Sequence, residues 1–429
     1  MLATSAPLSE WLAWLETLSP KEIDLGLDRV EQILSRLKLH RPDHVLLIAG
    51  TNGKGSSVAM ASALLSAAGK QVGAYTSPHI NRYNERIVID GVECSDAEII
   101  AAFEAVEAVR ADTELTYFEF GTLAAAVILA EADLDVWLLE VGLGGRLDAT
   151  NAIEPTASLI SNVALDHCDW LGHDVETIGR EKAGVMRAGK PTVFGGRAIP
   201  QSVRDYAQQI GARLLLPDSD FNVEISADGG WRWAGQSTTL ESLRPPGLVG
   251  NFQIENAAAV LALLEAADLL GGIDDQLINE ILPKLSLPGR AQRLFSLRRE
   301  WLIDVAHNAA AAEMLALTLA QTSSSGNTTA IVGLLDDKDL AGVVGPIAEH
   351  IDQWVAMPAE SDRSVAADEL ARQISNLSGK ACFIADSAQA AIEFSRRNSS
   401  ENDRILVTGS FFTVGPVLRQ LGNLPRPNP

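Results

Sequence analysis

A glycine-rich segment with a single lysine, Gly50-Thr51-Asn52-Gly53-Lys54-Gly55, lies between an apolar run and a stretch of helical period. Glycines let backbone N–H groups converge on an anion, and the N-terminus of a following helix adds its positive dipole end. Lys54 would supply a positive charge for nucleotide phosphates, and Ser56 a hydroxyl for Mg²⁺. We predict a nucleoside triphosphate site, with an ordinary glycine-rich strand–helix turn as the alternative.

This loop departs from the common phosphate-loop pattern at two positions. Ile48 stands where the pattern has its first glycine, and Gly55 follows Lys54 where the pattern has a hydroxyl residue. The prediction is therefore of a variant phosphate loop.

Two apolar runs end in polar residues that could bind a metal. Glu140 follows the run 136–139, and Asp166-His167 follow the run 157–163. A carboxylate at the end of a buried strand is costly unless it is paired or bound to a cation. We predict Glu140 to be a metal ligand, with a solvated strand-end glutamate as the alternative. Because Mg²⁺ prefers oxygen ligands, spacing alone favours a hydrogen-bonding role for His167.

The elements that must position these residues alternate between strand and helix. This pattern predicts an α/β fold in which ligands bind at the carboxyl ends of the strands. With 429 residues the chain exceeds the size of a single core. We predict an N-terminal P-loop-type domain with a doubly wound, mostly parallel sheet over residues 1–288. A smaller C-terminal Rossmann-like α/β domain is predicted over residues 289–429, after the hinge-like segment Leu287-Pro288-Gly289-Arg290.

Composition excludes several classes of partner. The net charge of −22 disfavours unspecific binding to nucleic acid or an anionic membrane. No apolar run reaches membrane-spanning length, and the first ten residues lack the pattern of a signal peptide. The three cysteines have no metal-ligand spacing and fit a reducing compartment. We expect a cytoplasmic protein.

Several longer motifs occur together. These are the loop with its extra glycine, the segment 139–151, the segment 166–172 and the segment 178–185. In this order they resemble the motifs of the folate branch of the Mur-ligase superfamily, the dihydrofolate synthases and folylpolyglutamate synthases. The resemblance covers nearly the whole chain. It departs from the usual pattern at Val185, where Ile is common, and at Ala309, where Pro is common.

The resemblance implies the roles of the site residues. Lys54, Lys182 and His167 would be catalytic, with Lys182 carboxylated by CO₂ to a carbamate that orients a second Mg²⁺. On composition alone Lys182 is a solvated helix lysine, and Ser77-Pro78-His79 a plain turn. The implied ligands of a first Mg²⁺ are Ser77, Glu140 and His167. The implied ATP-binding residues are Thr51, Asn52, Gly53, Lys54, Gly55, Ser56, Asn256, Arg290 and Asp304.

The same resemblance implies a dihydropteroate or folate site. An aromatic pair could stack on a flat heterocycle, and a carboxylate could accept hydrogen bonds from pterin amino groups. The alternative is that Asp24 caps a helix and that the aromatic residues belong to the core. Arg82, Arg86 and Arg146 are candidates for the substrate carboxylates. The implied substrate residues are Asp24, Leu25, Gly26, Leu27, Arg82, Thr116, Tyr117, Phe118, Glu119, Leu147, Asp148 and Ala149.

The expected activity is ATP-dependent addition of L-glutamate to dihydropteroate and to the γ-carboxylate of folates, through an acyl phosphate. The implied partners are ATP, Mg²⁺, L-glutamate, dihydropteroate and folates, with no nucleic acid and no membrane, and a monomer is expected. Two alternatives stay open: a Mur-type cell-wall amino-acid ligase, and a nucleotide-binding module without catalysis.

Overall fold

The computed structural model describes residues 6–19, 21, 23–322, 324 and 326–422. The first part of the chain is built on an eight-stranded sheet with the strand order 4-3-2-5-1-6-7-8. Its strands are β1 (His44–Ala49), β2 (Val72–Tyr75), β3 (Ile87–Ile89), β4 (Val92–Glu93), β5 (Val136–Glu140), β6 (Ala157–Ile160), β7 (Pro191–Phe194) and β8 (Arg213–Leu215).

Six of these strands are parallel, and β3 and β4 form an antiparallel edge. The central strand β1 is apolar on both faces, which is typical of a parallel sheet covered by helices on both sides. Ile48 of β1 is in register with Glu140 of β5. The loop after β1 and the carboxylate at the end of β5 therefore lie at the same edge of the sheet.

Helices cover both faces of this sheet. They are α1 (Leu8–Thr17), α2 (Asp28–Leu37), α3 (Lys54–Ala67), α4 (Asp96–Arg110), α5 (Tyr117–Glu131), α6 (Cys168–Leu171), α7 (Val175–Ala183), α8 (Gln201–Ile210), α9 (Phe252–Ala266) and α10 (Asp275–Ile281). Capping boxes begin two of them: Ser95 with Glu98 at α4, and Thr116 with Glu119 at α5. The segment Thr116–Glu119 is therefore the start of a helix.

A small antiparallel sheet, with the order 11-10-9, packs on the same domain. It contains β9 (Asn222–Ile225), β10 (Trp231–Ala234) and β11 (Thr239–Leu243). Trp231 and Trp233 are buried in the core that Leu46 and Ile48 also enter. Residues 220–250 thus form short strands joined by loops.

The last part of the chain has a six-stranded sheet with the order 12-13-17-14-15-16. Its strands are β12 (Gln292–Ser296), β13 (Arg299–Ile303), β14 (Thr328–Val332), β15 (Gln353–Ala356), β16 (Cys382–Ile384) and β17 (Arg404–Thr408). Only β12, at one edge, is antiparallel to its neighbour. Its helices are α11 (Ala309–Gln321), α12 (Leu340–Ile347), α13 (Ala367–Ser378), α14 (Ala388–Arg397) and α15 (Phe411–Gln420).

The two large sheets confirm the predicted fold class. Short 3₁₀ helices add connections at Tyr83–Arg86, Ala149–Ala152, Leu282–Lys284 and Ala348–His350. The predicted boundary after residue 288 lies between the 3₁₀ helix that ends at Lys284 and β12, and stays a prediction. Within the described ranges, no helix is both long and apolar enough to cross a bilayer.

Candidate active site between the two sheets

A cavity of about 910 Å³ lies where the carboxyl ends of the two sheets face each other. Its walls include the glycine-rich loop, the end of β5, and the segments around Asp24 and Phe118. The C-terminal part of the chain contributes Arg290, Lys338 and the start of α15. Motifs that are far apart in the sequence therefore line one cavity.

Two glycines fix the shape of the loop after β1. Gly53 has φ +86° and directly precedes α3. Gly50 has φ +146°, and a Cβ atom on it would lie 1.8 Å from Ser161 Oγ. Asn162 holds the loop from the other side, since its carbonyl and amide oxygens accept the N–H groups of residues 51 and 52 at 3.1 and 2.9 Å. The helix N-terminus thus points its free N–H groups at the cavity.

Lys54 folds back over this loop. Its Nζ donates to the carbonyl oxygens of Gly50 at 3.0 Å and Thr51 at 3.2 Å. Burial lowers the pKa of Lys54, while the carboxylates of Glu140 and Asp166 oppose that shift. Lys54 is therefore a buried amine with two carbonyl acceptors and acidic neighbours, at the end of the cavity that the helix dipole already makes positive.

Gly53 and Gly55, on either side of Lys54, leave room at the start of α3 for side chains of other segments. A Cβ atom on Gly55 would lie 3.6 Å from Glu140 Oε2 and 3.9 Å from Arg290 Nη2, and one on Gly53 would lie 2.8 Å from Asn256 Oδ1. Glu140, Arg290 and Asn256 therefore all reach the start of α3. Ser56 is buried and is not part of the cavity wall.

The three predicted metal ligands all line the cavity. Glu140 is 3% exposed, and burial raises its pKa against the pull of Lys54 and Arg290. Its Oε2 accepts the backbone N–H of Ser77 at 3.2 Å. Burial lowers the pKa of His167 to about 4, so its imidazole is neutral near pH 7 and can act as a ligand. The buried Glu140 carboxylate and the Ser77 hydroxyl supply the oxygen donors that a hard divalent cation prefers, and the neutral His167 imidazole has a nitrogen lone pair that could also coordinate.

No group of three His, Cys, Asp or Glu side chains in the described ranges is close enough to hold a metal. The predicted set contains only two such side chains and a serine. Water or phosphate oxygens would therefore complete the coordination, as is usual for Mg²⁺ at nucleotide sites.

Asp166 connects the two parts of the chain. It accepts from Lys338 Nζ and Asn308 Nδ2, both at 2.9 Å, and lies 3.4 Å from His307 Nε2. Burial alone would raise its pKa, but His307, His167 and Lys338 hold the pKa well below its usual value. Asp166 was predicted as one of the polar residues that follow the run 157–163, whereas its partner Lys338 comes from the C-terminal part of the chain and was not predicted to lie at the site.

Asn308 extends this network to the phosphate loop. Its side chain exchanges two hydrogen bonds with the amide of Asn52, at 3.1 and 3.3 Å. The position of the C-terminal part is thereby tied directly to the glycine-rich loop.

Lys182 is buried, so the interpretation as a solvated helix lysine is wrong. It lies in the last turn of α7 and is 3% exposed. In the part of the chain that the structure describes, its ammonium has no salt bridge and donates no hydrogen bond. Burial, followed by repulsion from Lys54, lowers its pKa to about 7. A neutral amine able to react with CO₂ is therefore well populated near pH 7.

Of the predicted ATP residues outside the phosphate loop, Arg290 lines the cavity and the other two do not. Arg290 lines it and packs over the Phe411 ring, 5.2 Å from the centroid. Asp304 accepts the N–H groups of Ala291 at 2.7 Å and Ala306 at 2.8 Å, and burial raises its pKa. Asp304 and Asn256 are not part of the cavity wall.

The aromatic segment lies at the opposite end of the cavity. Thr116 and Glu119 cap α5 reciprocally and so fix its first turn. Phe118 stacks near Tyr75, with centroids 6.2 Å apart, and its ring tip would be 2.5 Å from a Cβ atom on Gly142. Tyr117 lies beside the guanidinium of Arg86, which is 5.7 Å from its ring centroid. All four residues of the segment line the cavity.

Asp24 does not cap a helix, because the residue that precedes α2 is Leu27, whose side chain makes no cap. Its carboxylate pairs with Arg29 at 2.9 Å and with Lys21 at 3.3 Å. Asp24, Leu25 and Gly26 line the cavity, and Leu27 does not.

Asp148 holds its own loop together. Its carboxylate accepts from the N–H of Leu143 at 2.8 Å and from the N–H and hydroxyl of Thr150 at 3.0 and 2.6 Å. Burial raises its pKa. Leu147, Asp148 and Ala149 line the cavity.

Among the three candidate arginines, only Arg86 lines the cavity. Arg82 pairs with Glu93, and Arg146 pairs with Glu181 at 2.8 Å. Arg86 is buried and donates from Nε to Nδ1 of His79 at 2.9 Å. Burial and the Arg86 charge lower the pKa of His79 to about 3, which keeps that ring neutral and able to accept. No described carboxylate lies within salt-bridge distance of Arg86.

Comparisons of the sequence and of the structure with known proteins point to the same family. The family model of the Mur ligase glutamate ligase domain matches residues 289–411. The dihydrofolate synthase/folylpolyglutamate synthase of Escherichia coli K12 is 40% identical over 415 residues, covering 96% of this chain and 95% of that protein.

Solved structures agree along nearly the whole chain. E. coli FolC in complex with DHPP and ADP is 39% identical, with a TM-score of 0.92, covering 98% of this chain and 99% of that one. A bifunctional folylpolyglutamate synthase/dihydrofolate synthase with Mn, AMPPNP and L-glutamate bound is 41% identical. Its TM-score is 0.90, and the match covers 98% of this chain and 99% of that one.

Proposed function

The chain belongs to the dihydrofolate synthase/folylpolyglutamate synthase family, and we propose that it is an ATP-dependent ligase with both of these activities. It adds L-glutamate to dihydropteroate, forming dihydrofolate, and to the γ-carboxylate of folates. The observation that carries this is the single cavity that joins Lys54 and Glu140 at one end to Phe118 and Asp24 at the other. Such a cavity admits a nucleotide and a flat substrate in line with each other.

The reaction has two steps. The carboxylate oxygen of dihydropteroate or of a folate attacks the γ-phosphorus of ATP, ADP leaves, and an acyl phosphate forms. The amine of L-glutamate then attacks the acyl carbon, inorganic phosphate leaves with the C–O electron pair, and the amine loses a proton as the amide forms. Because water would hydrolyse the acyl phosphate, contacts between the two parts of the chain, such as Asp166 to Lys338, would help to keep water out.

The phosphate loop supplies most of the electrostatic stabilisation. The N–H groups at the start of α3 and the buried Lys54 side chain would contact the β- and γ-phosphates of bound ATP. Asn256 and Arg290 reach the same helix start, and Asp304 fixes the backbone beside Arg290. These contacts support the proposed ATP-binding role of the three residues.

Ser77, Glu140 and His167 would hold Mg²⁺, and a carbamate on Lys182 would orient a second ion. When bound, such ions neutralise charge that develops on the transferred phosphoryl group. The burial of Glu140 and the depressed pKa of Lys182, about 7, support this proposal.

At the other end, Thr116–Glu119 and Asp24–Gly26 would hold the pterin, and Leu147–Ala149 would close the pocket. Arg86 would bind the carboxylate that becomes activated. Its guanidinium is buried without a carboxylate partner, and it lies between Tyr117 and the loop of Ser77 and His79. A buried cation of this kind is stabilised by an anionic ligand. Arg82 lies outside the cavity wall, so its predicted role in substrate binding stays a prediction that its position does not support.

We also propose that the protein acts as a monomer in the cytoplasm. The three free cysteines, Cys94, Cys168 and Cys382, suit a reducing compartment. Gel filtration with light scattering and cell fractionation would test these two points.

The function is tested by measuring ADP release with ATP, L-glutamate and one acceptor at a time. Dihydropteroate and tetrahydrofolate should both support turnover, and mass spectrometry should show the added glutamate. Turnover with a UDP-muramyl acceptor alone would make the protein a cell-wall ligase. ATP binding without turnover on any acceptor would make it a nucleotide-binding module.

A further inference from the structure

Arg29 makes more contacts to acidic groups than any function described above requires. It is the second residue of α2, and its Nη1 lies 2.9 Å from Asp24 Oδ2. Its Nη2 donates to the Asp24 carbonyl oxygen at 2.6 Å. From Nε and Nη2 it also donates to Glu119 Oε1, at 3.1 and 2.8 Å. One guanidinium therefore contacts two acidic residues, Asp24 five positions before it and Glu119 90 positions after it in the sequence.

Both acidic residues belong to segments that line the same end of the cavity. Glu119 lies in the first turn of α5, where Oε2 also accepts the N–H of Thr116 at 2.8 Å. This turn carries Tyr117 and Phe118, so Arg29 fixes the aromatic pair relative to Asp24. Arg29 is itself not part of the cavity wall.

Protein contacts hold the carboxylates of Asp24 and Glu119 in place. Asp24 Oδ1 contacts Lys21 at 3.3 Å and Oδ2 contacts Arg29, while the two oxygens of Glu119 contact Arg29 and the N–H of Thr116. Every oxygen of the two carboxylates thus has a protein partner. These ion pairs set the distance between the two segments, because the planar guanidinium of Arg29 binds the carboxylates of Asp24 and Glu119 in a fixed orientation.

We propose that Arg29 is a positioning residue for the dihydropteroate site: it holds the Asp24–Gly26 segment and the Thr116–Glu119 turn at the separation that a flat pterin ring requires. This inference rests on the proposed function. Arg29 acts at the end of the cavity opposite to Lys54. Its loss should therefore weaken the binding of the pterin substrate and leave the nucleotide end unchanged.

The test compares R29M with R36M. Arg36 lies on the same helix and also anchors it, by donating to the carbonyl oxygens of Val109 at 2.8 Å and Arg110 at 3.2 Å, but it contacts neither cavity segment. In R29M the KM for dihydropteroate should rise about tenfold, as expected for a displaced binding segment, with kcat and the KM for ATP changed by less than about twofold. R36M should retain wild-type constants. R29K keeps the charge but can reach only one carboxylate, so it should give an intermediate KM.

Three results would overturn this inference: an unchanged KM for dihydropteroate in R29M, an equal rise in R36M, or a proportional rise in the KM for ATP. If R29M does not fold, a wild-type KM in R29K is the overturning result. A wild-type enzyme that releases no ADP with dihydropteroate would overturn the proposed function instead, so the two failures are distinguishable.

Discussion

The two ends of the cavity are constructed in different ways. The phosphate-loop end is formed by the backbone of one continuous segment, residues 50–55, whose glycines create the anion site. The substrate end is lined by side chains of distant segments, and Arg29 joins two of these segments, 24–26 and 116–119. A backbone site tolerates few changes because its donors cannot move independently. A site made of linked side chains can be adjusted by single substitutions, so changes at the substrate end should alter acceptor preference and leave phosphoryl transfer intact.

The largest effect is expected at the phosphate-loop end. Lys54→Ala should reduce both glutamate additions by about 1,000-fold, because the lost charge stabilises phosphoryl transfer to either acceptor. Steady-state ADP release with each acceptor measures this, and thermal unfolding shows whether the fold is retained. Lys70→Ala, just beyond the other end of α3, is the control and should keep wild-type activity. Turnover of Lys54→Ala near the wild-type rate would contradict the assignment of the phosphate site.

The second-largest effect is expected when the buried Lys182 is replaced. Lys182→Ala should lose about 100-fold in both activities, since the carbamate that orients a metal ion cannot form. Added acetate should restore part of the activity by replacing the missing carboxylate group. Lys182→Arg should stay inactive because arginine does not take up CO₂ in this way.

Exposed Lys190, substituted by Ala, is the control for the Lys182 series. A fully active Lys182→Arg enzyme would rule out the carbamate. So would an electron-density map with two metal ions bound and an unmodified amine at Lys182.

A smaller and selective effect is expected at the substrate end. Asp24→Ala removes the partner of Arg29 and should raise the KM for dihydropteroate about tenfold, with a smaller change for tetrahydrofolate. Asp28→Ala, an exposed acid in the first turn of α2, is the matched control. Equal losses with both acceptors would argue against a dedicated dihydropteroate site and would remove the contrast between the two ends.

The smallest effect is expected for Gly55→Ala, which is compared with Gly53→Ala in the same loop. A Cβ atom on Gly55 meets Glu140 at 3.6 Å, an ordinary contact, so Gly55→Ala should stay within about threefold of the wild-type kcat/KM. Gly53 has φ +86° and its Cβ atom would lie 2.8 Å from Asn256. Gly53→Ala should therefore lose more activity and raise the KM for ATP. A larger loss in Gly55→Ala than in Gly53→Ala would show that steric and backbone constraints do not control this loop.

Some elements could not be predicted from the sequence. Helix α12 contains Gly342, Gly345 and Pro346, and α15 contains Gly415 and Pro416, which are signals against a helix. Tertiary packing overrides them: Val344 and Val414 are fully buried. The apolar run that begins at Phe120 predicts a buried helix, but α5 begins three residues earlier at Tyr117, because Thr116 and Glu119 form a capping box there. Ser95 followed by Glu98 three residues later predicts a capping box at the start of a helix, and α4 has it.

The sequence by itself determined the features that depend on neighbouring residues. A glycine-rich turn, an apolar strand that ends in Glu140, and a capping box are each set by the conformational preferences of a few adjacent residues. Only the tertiary structure decided which distant side chains meet. It buries Lys182 and lowers its pKa to about 7, and it selects Arg86 over Arg82 and Arg146 for the cavity. It also brings Arg29 to Glu119 and Lys338 to Asp166. These contacts join residues 90 and 172 positions apart, and their distances follow from strand register and domain packing, which no local pattern encodes.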